Sequence, residues 1–360
     1  PGPRGGRPCA VPRLAILSAG VKPQMAPKKS LQVGIIGAAG LSAGKLIEIL
    51  SRHPCATIAT CVSESSSGAP VMKSHPHLRG RVALLFEPFD IRKLGRCDVV
   101  FSCKKAGQTF DFIQDLLKTG CRFIDLSGDY RLKSQEVFET WYGIPHRHPQ
   151  LPLKAVYGLP EWYRARIRKA RLVANPGCYT TTAILGCAPI VAAGYGRTAP
   201  IVIDAISGVS GAGRVAKTEN LFISVAENVR AYRIGNHQHT PEIEQELTAI
   251  ANLGAARRKQ SASAPVQVLF VPHVGPYRIG IMANCYLRAE GGPRNPTDQS
   301  LHELLLRAYK DEPFVRVYPP GELPQIEHAA GTNYCDIGVK YDKRTDMIVV
   351  ISTTDNVVKS

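Results

Sequence analysis

Cys178, the histidines of His237-Gln238-His239, and Glu242 are the residues whose types and spacing suit chemistry. A cysteine thiolate attacks an acyl carbon, and a histidine takes and returns the proton that the attack displaces. Cys178 follows the apolar run 172–174 and the turn Asn175-Pro176-Gly177, and it precedes a small, apolar, threonine-containing run that reads as a helix. It thus stands at a strand-to-helix turn beside free backbone N–H groups, where an anion is favoured and a thiol pKa is expected to fall. As one of ten cysteines it also reads as an ordinary buried thiol. Thr240 and Pro241 suit the N-cap and first position of a second helix, with His237 and His239 just ahead of it and Glu242 in its first turn. The His-x-His pair by itself also fits half a metal site or a surface pair. No further ligands are grouped near it, and no metal is expected.

The elements that must hold these groups fall into two patterns. An apolar strand at 31–36 runs into Gly37-Ala38-Ala39-Gly40-Leu41 and a helical pattern at 45–51. Strand, glycine turn and helix N-terminus form the cradle for a dinucleotide pyrophosphate. The spacing is G-x-x-G-x-x-A, with Ala43 where a third glycine often stands, so the context rather than the spacing carries the reading. A second strand at 57–62 ends in Ser63-Glu64-Ser65-Ser66-Ser67. An acid there binds a ribose 2′-hydroxyl and a serine-rich loop accepts a 2′-phosphate; both are present, and a solvated loop is the plainer alternative. NADP(H) is the expected cofactor. Strands at 98–103 and 121–126, with a helix over 108–118, continue an alternation that indicates a doubly wound parallel sheet.

Beyond Cys178 the pattern changes. A strand at 201–206 opens into Ser207-Gly208-Val209-Ser210-Gly211-Ala212-Gly213-Arg214, whose small residues allow close backbone contact with a ligand. Strands at 266–271, 279–288, 335–341 and 347–352 and a helix at 300–309 then give an α+β unit. The expected fold class is α/β, a Rossmann-like doubly wound domain joined to an α+β catalytic domain. The expected division is 1–30 outside the fold, 31–175 for the cofactor and 176–335 for catalysis, with about 336–360 rejoining the cofactor domain.

Hydrophobic content of 44% and charged content of 21% describe a chain that buries a large core. The longest uncharged stretch, 172–196, is broken by Asn, Pro, Gly and threonines and makes a poor membrane span. Residues 1–30 supply six of the sixteen net positive charges, and the rest are dispersed. Dispersed charge without a reading element argues against a nucleic-acid partner and for attraction of anionic substrates. The scattered cysteines lack C-x-x-C spacing and suit a reducing compartment. The first residue is Pro, so residues 1–30 read as a transit segment or as sequence upstream of a start at Met25.

From about Val33 to Lys359 the chain resembles the N-acetyl-gamma-glutamyl-phosphate reductase family. The resemblance rests on Gly37-Ala38-Ala39-Gly40, His75-Pro76-His77-Leu78, Asp125-Leu126-Ser127-Gly128-Asp129-Tyr130-Arg131, Tyr157-Gly158-Leu159-Pro160-Glu161, Pro176-Gly177-Cys178-Tyr179, the 207–214 loop, His237-x-His239-Thr240-Pro241-Glu242 and Cys335-Asp336-Ile337-Gly338, in the expected order. It implies a semialdehyde-dehydrogenase-like fold whose second domain also dimerises. It implies Cys178 as nucleophile and His237 as acid/base, with His239, Glu242, Tyr232 and Arg214 supporting or binding substrate. NADP(H) would lie on Gly37, Ala38, Ala39, Gly40 and Leu41, with Ser63, Ser65 or Ser66 near the 2′-phosphate and Ser210, Gly211 and Asn356 near the nicotinamide.

The implied reaction reduces N-acetyl-L-glutamyl 5-phosphate to the 5-semialdehyde, in a cytoplasmic homodimer or homotetramer, or in a plastid if residues 1–30 are a transit segment. Rival readings are a carrier-protein-linked aminoadipyl-phosphate reductase and a catalytically idle NADP-binding relative. The sequence departs from the family pattern at Gln238, where an Arg is usual, and at the threonines after Tyr179. It also stops at Ser360 without a closing helix, which is expected to leave Asn356 poorly held.

Overall fold

The computed structural model describes residues 30–214, 216–261 and 264–359. The readings of a targeting role and a start at Met25 lie outside the described residues. The first sheet contains β1 (Leu31–Ile36), β2 (Ala56–Val62), β3 (Phe86–Glu87), β4 (Val99–Ser102), β5 (Arg122–Asp125), β6 (Val156–Tyr157) and β7 (Leu172–Ala174), in the order β3-β2-β1-β4-β5-β7-β6. Every pairing in it is parallel. Its central strands are apolar and β-branched because both faces are covered. The strand order reverses beside β1, so Gly37, just past β1, faces Cys103, just past β4. This is the switch point at which such sheets bind ligands.

The second sheet contains β8 (Ile201–Ser207), β9 (Arg230–Ala231), β10 (Val268–Val274), β11 (Ile281–Arg288), β12 (Val315–Val317), β13 (Cys335–Asp342) and β14 (Met347–Thr354), in the order β12-β13-β14-β11-β8-β10-β9. The pairings are mixed: β8 runs parallel to β10 and antiparallel to β11. One face packs on the helices Cys178–Ala192 and His239–Arg257. The Cys178–Ala192 helix is buried on nearly all sides and apolar around its circumference, as a helix enclosed by a sheet and a neighbouring helix must be.

The expected return of residues 336–360 to the cofactor domain is corrected by strand pairing. β13 and β14 pair with each other and β14 with β11, which makes them central strands of the second sheet. The buried positions of each fix them there, since Ile337, Val339, Ile348 and Val350 all lie in the second core. Only the segment after Thr354 turns back. Lys359 forms a buried ion pair of 2.5 Å with Glu161, on the Pro160–Ile167 helix between β6 and β7.

Candidate active site

β7 ends at Ala174, and Asn175-Pro176-Gly177 turns the chain into the Cys178–Ala192 helix. Glu242 clamps this turn. One carboxylate oxygen accepts from Gly177 N (3.0 Å), Thr180 Oγ1 (3.0 Å) and Tyr157 OH (2.7 Å). The other accepts from Arg131 Nη1 at 3.3 Å, and Arg131 reaches on to the carbonyls of Asn175 (2.7 Å) and Leu126 (2.9 Å). Burial opposes the Arg131 charge most, but the Glu242 carboxylate together with Tyr142, Tyr157 and Asp125 raises the guanidinium pKa overall. Glu242 therefore positions the cysteine turn.

His239 packs directly on that turn. A Cβ at Gly177 would lie 2.2 Å from His239 Nε2, so only glycine fits there. The second helix begins at His239, not after Thr240 as its capping pattern suggests. The imidazole of His237 takes the place of the hydroxyl cap: its Nδ1 accepts the backbone N–H of His239 at 3.1 Å. That bond leaves the proton of the neutral ring on Nε2. Burial first, then the charges of His239 and Arg233, hold the His237 pKa down to about 2. Burial, Arg131 and Arg233 hold His239 down to about 3. The Tyr232 ring stands 5.5 Å from that of His237, and its hydroxyl, pushed up to about 12 by burial, donates to Tyr179 OH at 3.4 Å.

The expected fall in the Cys178 pKa is corrected. Burial pushes the thiol up to about 11, against the opposing pull of the Tyr179 N–H and the Arg131 charge. The helix N-terminus is where the sequence places it, but desolvation of the sulfur is the larger effect. The thiol must therefore lose its proton as it attacks, and it needs a base beside it.

Cys178, Tyr232, His237 and His239 line one cleft of about 420 Å³, together with Lys217, Arg230 and Arg233. Cys178 and His239 also line a second cleft of about 500 Å³ with Gly40, Leu41, Ser210, Gly211 and Asn356. The cysteine stands where the two meet. Asn356 is firmly placed, contrary to the expectation drawn from the chain's end: its Oδ1 accepts from Gly280 N (2.8 Å) and its Nδ2 donates to Ser210 Oγ (2.9 Å). Arg214 donates to Ser74 O (2.8 Å) and His75 Nδ1 (3.2 Å), which directs it to the cofactor-side cleft.

The residues around the glycine turn fit a dinucleotide. Gly37 has φ +75°, and a Cβ there would meet the Cys103 carbonyl at 3.0 Å. Gly40 caps the Leu41–Leu50 helix with no side-chain hydrogen bond, leaving first-turn N–H groups for an anion. Ala38 and Ala39 complete the turn, and the Ala38 carbonyl accepts from His75 Nε2 at 2.7 Å. Ser63 is buried, Ser65 exposed and Ser66 half-buried, in the turn after β2 and beside the end of β1. The acid of that turn, Glu64, pairs with Lys104 at 3.0 Å.

Residues 32–170 match the family described as semialdehyde dehydrogenase, NAD binding domain, and residues 178–356 match semialdehyde dehydrogenase, dimerisation domain. A protein of Symbiobacterium thermophilum named N-acetyl-gamma-glutamyl-phosphate reductase is 44% identical over 333 residues, covering 92% of this chain and 91% of that one. One of Desulforudis audaxviator with the same name is 41% identical over 330 residues, 91% of each. The chain belongs to the N-acetyl-gamma-glutamyl-phosphate reductase family. It is an oxidoreductase of that family, and its first domain serves a nicotinamide cofactor. Aspartate semialdehyde dehydrogenase II of Vibrio cholerae shares the fold, with a TM-score of 0.67 at 17% identity over 92% of this chain and 94% of that one. The Candida albicans aspartate semialdehyde dehydrogenase solved with NADP has a TM-score of 0.65 at 15% identity, over 92% and 95%.

Sequence reasoning did not find Arg131 or Tyr157 as parts of the reductase site, nor the basic residues Lys217, Arg230 and Arg233 of its cleft. The motifs that contain Arg131 and Tyr157 were visible. Their partner Glu242 lies 111 residues from Arg131, a separation no local pattern reveals.

Proposed function

We propose that the chain reduces N-acetyl-L-glutamyl 5-phosphate to N-acetyl-L-glutamate 5-semialdehyde with release of phosphate, the NADPH-dependent step of arginine biosynthesis. The observation that supports this most is the place of Cys178, where a basic, histidine-bearing cleft meets the glycine-turn cleft. The Cys178 thiol attacks the acyl carbon, and the His237–His239 end of the cleft receives its proton. An anionic substrate favours that transfer, because negative charge beside these rings stabilises an imidazolium. Glu242 and Arg131 hold the Gly177–Cys178 backbone still during the attack. A bound nicotinamide supplies the hydride that converts the thioester to the aldehyde. Ser210, Gly211 and Asn356 shape the cleft on that side. Ser63, Ser65 and Ser66 in the turn after β2, whose acid Glu64 is already engaged by Lys104, support NADP over NAD.

A homodimer or homotetramer fits the second sheet, whose face away from the helices stays part-exposed at Val202, Ile206, Leu269 and Val271. No described helix is long and apolar enough to cross a membrane. The nine free cysteines among the described residues suit the cytoplasm. The test runs in reverse: the semialdehyde, NADP and phosphate are mixed with the chain and NADPH is followed by absorbance. Phosphate-dependent NADPH formation that Cys178→Ala abolishes is the expected result. Formation that persists without phosphate, or in Cys178→Ala, overturns the reading.

A further inference from the structure

The cleft of Cys178 holds basic side chains that the scheme above does not use, and they are not equivalent. Arg230 is held by the Glu219 carbonyl and Asn220 Oδ1, both at 3.1 Å. Arg233 donates from Nη1 to Gln238 Oε1 at 2.5 Å and from Nη2 to the Asn236 carbonyl at 3.2 Å. Its guanidinium therefore lies against the segment that carries His237 and His239. Both acceptors are neutral oxygens, so its charge enters the cleft without a carboxylate on either of them. Arg233 also adopts φ +51°, a left-handed conformation that favours glycine and strains a long side chain. Strain kept at a cleft residue points to a role for the side chain it carries.

We propose that Arg233, held by Gln238 and Asn236, recognises phosphate in this cleft and pairs with the phosphoryl group that leaves as Cys178 attacks. The inference rests on the acyl-phosphate reading above and names the residue that reads the leaving group. The substrate has anions at both ends of its carbon chain, the phosphate on the attacked carbon and a carboxylate far from it. Of the cations in the cleft, the one against the histidine segment meets the phosphate, and Arg230 and Lys217, on the Glu219–Asn220 side, face the carboxylate. In the step itself the sulfur–carbon bond forms and the carbon–oxygen bond to phosphate breaks. That electron pair leaves on the phosphate oxygen, and the thiol proton passes to the His237–His239 pair, where the His239 ring is not tied by a hydrogen bond at Nδ1. Neutralising Arg233 with a dianion also removes one of the charges that disfavour an imidazolium at either histidine. The contact that orients the leaving group thus prepares the proton acceptor.

The test measures protection of Cys178 from iodoacetamide by inorganic phosphate, beside the reverse reaction. Arg233→Gly removes the charge and relieves the backbone, so the variant is expected to fold; Arg233→Lys keeps a charge without the planar fork. Arg233→Gly should raise the phosphate needed for half-protection at least about 10-fold, the loss expected for a charged hydrogen-bonded contact, with Arg233→Lys in between and Arg230→Ala under about 3-fold. The KM for phosphate should rise in parallel while the KM for the semialdehyde stays within about 3-fold. Half-protection unchanged in Arg233→Gly, a loss carried by Arg230→Ala instead, or no protection of the intact chain overturns the proposal. Alkylation needs no turnover, so intact protection with no phosphate-dependent turnover would count against the acyl-phosphate reading alone and leave phosphate recognition by Arg233 standing.

Discussion

Glu242 accepts hydrogen bonds from the Cys178 turn while offsetting a buried guanidinium, and these two duties can be separated by mutation. Glu242→Gln keeps an acceptor for Gly177 N but leaves the Arg131 charge buried without a counter-charge. Losing one partner of a buried pair costs about 3–5 kcal/mol, so the denaturant midpoint should fall sharply. In an Arg131→Met background the same change should cost much less, and a double-mutant cycle in urea reads the difference. The histidines make a separate prediction. His237 and His239 stay neutral in the fold, with pKa values depressed to about 2 and about 3. Below the ordinary histidine pKa the unfolded chain binds protons that the folded chain does not. Stability should therefore fall as pH drops below about 6.5, by roughly 1.4 kcal/mol per pH unit for each histidine. His237→Asn should make that slope shallower in urea titrations between pH 6 and 4; an unchanged slope would mean that His237 charges freely in the fold.

The Cys178–Ala192 and His239–Arg257 helices run side by side in the same direction. Gly177 meets His239 at one end, and Gly254 meets Ala192 at the other. Both positive helix ends thus converge on the cysteine. At Gly254 the backbones approach so closely that a Cβ would sit 2.1 Å from the Ala192 carbonyl. Alanine normally stabilises a helix interior relative to glycine by about 1 kcal/mol. Here Gly254→Ala should instead destabilise the chain and alter the rate at which Cys178 is alkylated, by moving one helix start against the other. A raised Tm with unchanged alkylation would show that the helices are not coupled in this way. The first of these elements was legible in the sequence because Pro176 and Gly177 mark its start locally. The start of the second was not. Thr240 and Pro241 gave a sound local capping pattern, but an imidazole two residues upstream of His239 took the N–H that a hydroxyl would have taken. The same limit applies to Cys178: its position at a helix N-terminus was readable, while the burial that raises its pKa belongs to the packed molecule.

At the scale of the whole molecule, the first domain was foreshadowed by alternation of strand and helix and the second by a run of strands with a single helix, but the placing of β13 and β14 depended on partners far away in sequence. Arg131 was missed for the same reason, whereas Arg233 lies only five residues from Gln238 and was missed because neither its left-handed backbone nor the cleft it lines shows in the local pattern. The second sheet also connects that site to the molecular surface. On β10, Phe270 faces the helices while Leu269, Val271 and His273 face away; on β8, Val202, Asp204 and Ile206 share that outer face. His273 pairs there with Asp204 at 3.0 Å, and its carbonyl accepts the Tyr179 hydroxyl at 2.7 Å, one residue from Cys178. If a second copy covers this face, Val271→Arg places an unpaired charge in the interface, at a cost of several kcal/mol. The variant should sediment at the monomer mass with its far-UV circular dichroism unchanged. Its kcat should fall more than its affinity for NADP, because the loosened β10 carbonyl holds Tyr179 beside the nucleophile and does not touch the glycine turn. An unchanged sedimenting mass would place the interface elsewhere. A monomer with full kcat would show that the site does not depend on the covered sheet.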